Sequence, residues 1–321
     1  AINILANRAT AAIEDGVVVS GAGDVALSAS GNFTAKAEAE AGSAGGISLT
    51  PALGLSLINN TTTAQLGTGT TFEAKSLDVA AVQQSSTTTK ASADAAGSKA
   101  AIGASLALAL VNDEVRATTS RNLDIDNRVG FTAMGASFSI LEAKASASGG
   151  EAAKDDGSNQ AGDKDVDGKV DDQLGSAETK QTKSGVGDTT QQGKTKSAVD
   201  DKDGRSASTS EGKVTVAAAV GVNVQTSSVS ATIPDTVTVN AGGTLTLGTA
   251  ANTDGKVTAD GSAVGKDGAQ TAQVGIGAAV AVNKISATNV AQLGAANHTL
   301  GGLEIEALKT DVKKQVDNPA S

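Results

Sequence analysis

Asp163, Asp165 and Asp167 alternate with Lys164 and Val166 and are followed by Gly168, Lys169, Val170 and the pair Asp171-Asp172. Alternating carboxylates with a glycine at the sixth position and an apolar eighth match the start of a calcium loop, in which hard oxygen ligands replace the water around Ca²⁺. In that scheme Asp163, Asp165 and Asp167 converge on one ion, Lys169 offers its backbone carbonyl, and Asp171 acts directly or through water. The twelfth position is Leu174, where a bidentate Glu would be needed, and no flanking helix is predicted. A Ca²⁺ site here is therefore weak or completed from elsewhere; the other reading is a solvated acidic loop. A second cluster, Asp200, Asp201 and Asp203 before Gly204, is less specific and reads as solvated.

Other chemistry is thinly supplied. The chain has one His, His298, in the turn-like run Ala296-Asn297-His298-Thr299, so a Ser-His-Asp arrangement would have to be built on a turn histidine. There is no Cys, which removes disulfides, thiolate zinc sites and thiol nucleophiles. Carboxylate-only cleavage of polysaccharide needs two placed carboxylates beside a sugar cleft, and such clefts use aromatic stacking surfaces. Four Phe and no Trp or Tyr leave little to build one. Gly242-Gly243 and Gly301-Gly302 open no helix and precede no Gly-Lys-Ser/Thr pattern, so they read as turns between strands rather than phosphate loops. No catalytic residue and no organic cofactor is expected.

The elements that would have to position any site show period two. Val25, Leu27 and Ala29 alternate with polar residues, as do Leu77, Val79 and Ala81, then Leu245 and Leu247, then Leu303, Ile305 and Ala307. In the third copy the same role falls to Phe138 and Ile140. Ala-rich alternations follow at Ala35, Ala37, Ala39 and at Ala91, Ala93, Ala95. Period two predicts strands with one buried face, and the wealth of Thr, Val, Ser and Gly opposes helix. Leu247 and Val280 are both expected to face inward. With aromatics at 1% of the chain, the interior must be built from small side chains, which favours a thin, regular structure.

Self-similarity organises these strands. The tripeptides Ala1-Ile2-Asn3, Leu57-Ile58-Asn59, Leu110-Val111-Asn112, Gly221-Val222-Asn223 and Ala281-Val282-Asn283 mark points taken as equivalent. Their Asn residues lie 56, 53, 111 and 60 apart, so the third interval holds an insertion. Second markers follow at Ala11-Ala12-Ile13, Ala64-Gln65-Leu66, Ala231-Thr232-Ile233 and Ala291-Gln292-Leu293, with a weaker Ala117-Thr118-Thr119. Phase is not uniform: Val280 and Val282 stand in one phase relative to their Asn, Leu108 and Leu110 in the other.

The fold expected is all-β, a β-solenoid (parallel β-helix-like) of about five repeats of roughly 55 residues. Repeats occupy 1–148 and 213–321, and 149–212 form an acidic Gly/Ser/Asp-rich insertion loop. Propeller blades are the alternative, but they usually carry aromatic signatures. The formal net charge of −10 opposes nucleic-acid binding, and no apolar run approaches the roughly 18 residues of a membrane span. The start lacks a Met and a charged leader, so the chain is expected to be a segment of something longer.

The run Gly275-Ile276-Gly277-Ala278-Ala279-Val280-Ala281-Val282-Asn283, a Thr-bearing stretch and Gly301-Gly302-Leu303-Glu304-Ile305-Glu306-Ala307 resemble the haemagglutinin-like repeats of giant leukotoxin-type filamentous adhesins of bacteria. The resemblance covers nearly all the chain outside the insertion and departs at Thr118-Thr119. It implies export to the cell surface, long solenoid filaments, and a role in attachment or cell contact. The partners implied are neighbouring repeats of the same chain or like subunits, and a cell-surface or polysaccharide ligand. Two other functions stand beside it: a self-assembling filament or sheath subunit, and a β-helix that binds or cleaves polysaccharide.

Overall fold

A computed structural model describes residues 1–149, 208–209, 214–261, 263–265 and 274–309. Every regular element among them is a strand: β1 (Ile2–Ile13), β2 (Ala22–Leu66), β3 (Phe72–Thr119), β4 (Leu123–Ile125), β5 (Val129–Gly149), β6 (Ser208–Thr209), β7 (Val214–Ile233), β8 (Val239–Asp260), β9 (Val264–Gly265), β10 (Val274–Leu293) and β11 (Thr299–Lys309). All their pairings are parallel. The protein is thus all-β with parallel strands, as the period-two alternation and the shortage of helix formers require.

Two stacks of chain carry the architecture. Residues 22–44, 74–97, 129–149, 239–260 and 299–309 stack in parallel as a first layer. Residues 2–13, 47–66, 100–119, 214–233 and 274–293 stack as a second. Their inward side chains meet: Ser56 Oγ lies 2.7 Å from Thr89 Oγ1, and Thr62 Oγ1 donates to Gln83 Oε1 at 2.9 Å. The long strands β2 and β3 each run through both layers, and in β2 the change of layer falls at a register shift between Gly45 and Ile47. At the other end of the section the first corner, between β1 and β2, uses Gly16 and Gly21 at φ 76° and 63°, conformations that side chains with a Cβ rarely adopt.

The space between the layers varies. Around the corners it is wide enough for Leu66, Phe72, Leu77, Phe131, Ile233 and Leu245, all buried in one hydrophobic cluster. Toward the opposite end the second cluster is mostly alanine, including Ala91, Ala93, Ala107, Ala145 and Ala217. There the backbones approach closely: a Cβ added to Gly54 would stand 2.5 Å from the carbonyl oxygen of Lys90, and Gly103 meets Ser146 in the same way. Only small side chains fit inside at that end.

The registers refine the sequence reading. Ala11, Ala64, Ala117, Ala231 and Ala291 stand in one column, so the second set of markers, including the weaker Ala117-Thr118-Thr119, is in register. The Asn markers are not. Asn59 pairs with Asn112, whereas Asn3 shares a column with Ser56, Ala109, Asn223 and Asn283. The two columns are three residues apart, an odd number, which reverses the face; the apparent change of phase came from the choice of marker. Leu106, Val220 and Val280 are in fact in one column. The residues paired with Leu77, Val79 and Ala81 are Val129, Phe131 and Ala133, all buried, while Phe138 and Ile140, expected in that place, lie farther along and Ile140 is exposed. The inward assignment holds for Leu247, which is fully buried, but Val280 is 51% exposed on the outer surface.

Candidate functional site

Asp163, Asp165, Asp167, Lys169 and Asp171 lie outside the described residues, as do Asp200, Asp201 and Asp203. What the structure does place is the pair of points from which that stretch departs and returns. Gly149 pairs with Gly97, and Val214 pairs with Ala100. The excursion therefore leaves and rejoins at the narrow corner, where the preceding pass needs only Ser98 and Lys99 to change layers. Among the described residues no group of three or more His, Cys, Asp or Glu side chains is placed to hold a metal ion.

His298 is structural in its contacts. Its Nδ1 accepts from the Val239 amide at 3.2 Å, and its Nε2 lies 3.1 Å from the Gly294 carbonyl oxygen. An Nδ1 that accepts leaves the proton on Nε2 to be donated to that oxygen, so the ring bridges two successive corners.

Between the two hydrophobic clusters runs a buried polar ladder centred on Asp113, which is 2% exposed. Asn7 donates to Asn60 Oδ1 at 2.8 Å, and Asn60 donates to Asp113 Oδ1 at 2.7 Å, a chain of amides ending on a carboxylate. Across the layers Gln83 Nε2 reaches the same oxygen at 3.0 Å, while Ser85 Oγ, at 2.6 Å, and Ser137 Oγ donate to Oδ2. Gln225 Nε2 donates in turn to Ser137 Oγ at 2.6 Å. Farther along the stack Ser139 donates to Asn223 and Asn223 to Asn283. Burial raises the Asp113 carboxyl above its usual pKa, against the opposing pull of its Ser137, Ser85 and Asn60 hydrogen bonds. The donors leave both oxygens satisfied and sealed from solvent, an arrangement that sets register and offers no access to a substrate.

Arg121 is the second buried charge, at 2% exposure. Its guanidinium donates to the carbonyl oxygens of Gly67 (2.5 Å), Val17 (2.5 Å), Glu14 (2.9 Å) and Thr68 (3.0 Å). It thereby ties its own corner to the two before it. Asp15, in the first of these, accepts from the Thr68 hydroxyl and amide, bonds that hold its carboxyl below the usual range. Neither Asp113 nor Arg121 stood out in the sequence. The partners of Asp113 are 24 to 53 residues away.

The two outer surfaces differ in kind. The first layer presents charge: Glu38, Lys90 and Glu142 stack in alternating sign, joined by the ion pairs Lys90–Glu38 at 3.8 Å and Lys90–Glu142 at 3.7 Å. Lys144 also pairs with Glu142, and these cations hold the Glu142 carboxyl below its usual pKa despite desolvation by burial, the largest single influence, which acts to raise it. The second layer presents aliphatic side chains on its half nearest the narrow corner. Leu53, Leu106, Val220 and Val280 form one outward column. Ile2, Leu55, Leu108, Val222 and Val282 form the next. Exposure is substantial, 39% for Leu106 and 52% for Ile276.

Comparison of the chain with protein-family models, with curated protein sequences and with solved structures gives no match.

Proposed function

We propose that the chain is a β-solenoid segment of a large extracellular bacterial surface filament, acting as stalk and contact surface in attachment and carrying no catalytic role. The observation that carries this reading is the sustained parallel register. Leu55 pairs with Leu108 and Leu77 with Val129, so one pass through both layers takes 53 or 52 residues, and the chain then lies in register on itself. A coil repeated in this way lengthens a rod by about 4.8 Å per pass without changing its section, which suits a long stalk. Its partners are then the neighbouring coils of the same long chain or like subunits. The resemblance to filamentous adhesin repeats supports a place at the cell surface, and the sealed polar interior supports a mechanical role.

Immunogold labelling of intact source cells with antibody against the purified chain tests this. Gold along surface filaments is expected; label confined to permeabilised cells overturns the reading.

In this proposal the stretch between Gly149 and Val214 takes up Ca²⁺ weakly through Asp163, Asp165, Asp167, Lys169 and Asp171. Calorimetric titration beside a variant with Asp163, Asp165 and Asp167 replaced by Asn decides it. Saturable heat lost in the variant is expected, and equal or absent heat leaves an acidic solvated loop.

A further inference from the structure

We propose that the aliphatic outer face of the second layer pairs with the same face of a second copy of this chain, forming a closed dimer packed sheet on sheet. The proposal is independent of the filament reading, since it rests only on what this face presents.

Four strand segments, 47–57, 100–110, 214–224 and 274–284, lie side by side in register, and β1 adds Ile2 and Ile4 at the edge. Their outward positions are every second residue. In the third segment these are Val214, Val216, Ala218, Val220, Val222 and Val224; in the second, Ala100, Ile102, Ala104, Leu106, Leu108 and Leu110. The only charged residue on the grid is Lys284, at one corner beside Val224. One side of the grid ends on a polar column, in which Asn112 Nδ2 donates to Asn59 Oδ1 at 2.9 Å. An apolar sheet patch with a polar border, on a molecule whose opposite surface carries ion pairs, has the composition of an interface core.

The occupant follows from area, charge and supply. Strands about 4.8 Å apart and outward residues about 6.7 Å apart give a face of roughly 700 Å², close to the roughly 800 Å² per partner of a standard stable interface. Two identical aliphatic grids bring no like charges together, although the chain as a whole carries −10. Flat sheets of this kind interlock at a separation of about 10 Å, and the same patch on both partners closes a two-fold pair. The rest of the chain offers few side chains to cover the face: Val166, Val170, Val186, Val199, Val312 and Val316 stand singly among small or polar residues. Residues 150–207 contain Leu174 as their single Leu, Ile, Met or Phe, and residues 310–321 contain none.

The test is sedimentation equilibrium of the purified chain beside a variant with Leu106, Leu108, Val220 and Val222 replaced by Thr, a residue of high strand propensity whose hydroxyl makes the face polar. Wild type is expected at twice the 31.2 kDa chain mass at micromolar concentration. The variant is expected to be monomeric, its dimer Kd raised by at least about 100-fold, with the far-UV circular dichroism of wild type. A control carrying Ser86→Thr and Ser92→Thr on the charged surface stays dimeric. Should the quadruple variant lose its β-spectrum, a Leu108→Cys chain, free of any native thiol, gives the answer instead by being joined to a second copy with a short bis-maleimide, whose reach covers the roughly 10 Å between packed sheets. Monomeric wild type whose Leu108→Cys variant is not joined to a second copy in this way overturns the proposal. So do open-ended aggregates, and so does a monomer that floats with neutral phosphatidylcholine vesicles, which would assign the face to lipid.

Discussion

Asp113 and Arg121 show how single residues hold successive passes together, and each makes a measurable claim. A carboxyl whose folded pKa is raised carries a penalty once it ionises. That penalty is present above its folded pKa and is relieved as pH falls through that value, until the unfolded carboxyl also protonates near its ordinary 3.8. Asp113→Asn removes the ionisation while keeping the shape. Its amide oxygen still accepts from Asn60 and Gln83, and its NH₂ donates to the Ser85 and Ser137 hydroxyls, which turn to accept. The variant is expected to be about 1–3 kcal/mol more stable than wild type at neutral pH, with the difference shrinking as pH falls. Urea denaturation at a series of pH values measures it, and a variant destabilised at pH 7 contradicts the account. Arg121→Ala leaves the Gly67 and Val17 carbonyls without their guanidinium and should cost about 2–4 kcal/mol in the same experiment.

At the scale of the strand, burial phase decides what a substitution does. Leu247→Asp places an unpaired carboxylate in the larger hydrophobic cluster and should cost about 3–5 kcal/mol, whereas Val280→Asp on the outer surface, measured at concentrations where both chains are monomeric, should change stability by less than about 1 kcal/mol. Comparable melting temperatures for the two would contradict the assigned faces. Register has its own test, helped by the absence of native Cys. Thr63 and Arg116 are neighbours across the β2–β3 ladder. Cysteines placed at both should form an intramolecular disulfide under mild oxidation, while Thr63 with Val111 replaced in the same way should not. Alternation alone located these strands because period two is a local property. It located the corner strands correctly at Val25, Leu77 and Leu245, but chose Phe138 over Phe131 in the third copy. Both Phe residues stand in alternating runs, and only pairing with Val79 distinguishes them.

For the molecule as a whole, the tie points at Gly149 and Val214 predict that the residues between them are dispensable for folding, at the cost only of the two-residue pairing of β6 with β9. Joining the two by Ser-Lys copies the corner that Ser98 and Lys99 make one pass earlier, and the shortened chain should melt cooperatively within a few degrees of wild type. Loss of cooperative melting would mean that the excursion is built into the stack. The amino-acid sequence by itself determined the all-β class and the small-residue interior of the narrow end. Each of these follows from composition and from a periodicity read over a few neighbouring residues. The tertiary structure alone decided which side of the second layer faces in. Along 100–110 large aliphatic residues alternate with Ala, Gly and Ser, and the usual rule would bury Leu106, Leu108 and Leu110. The approach of the layers at Gly54 and Lys90 leaves room only for the small set, so the leucines turn outward.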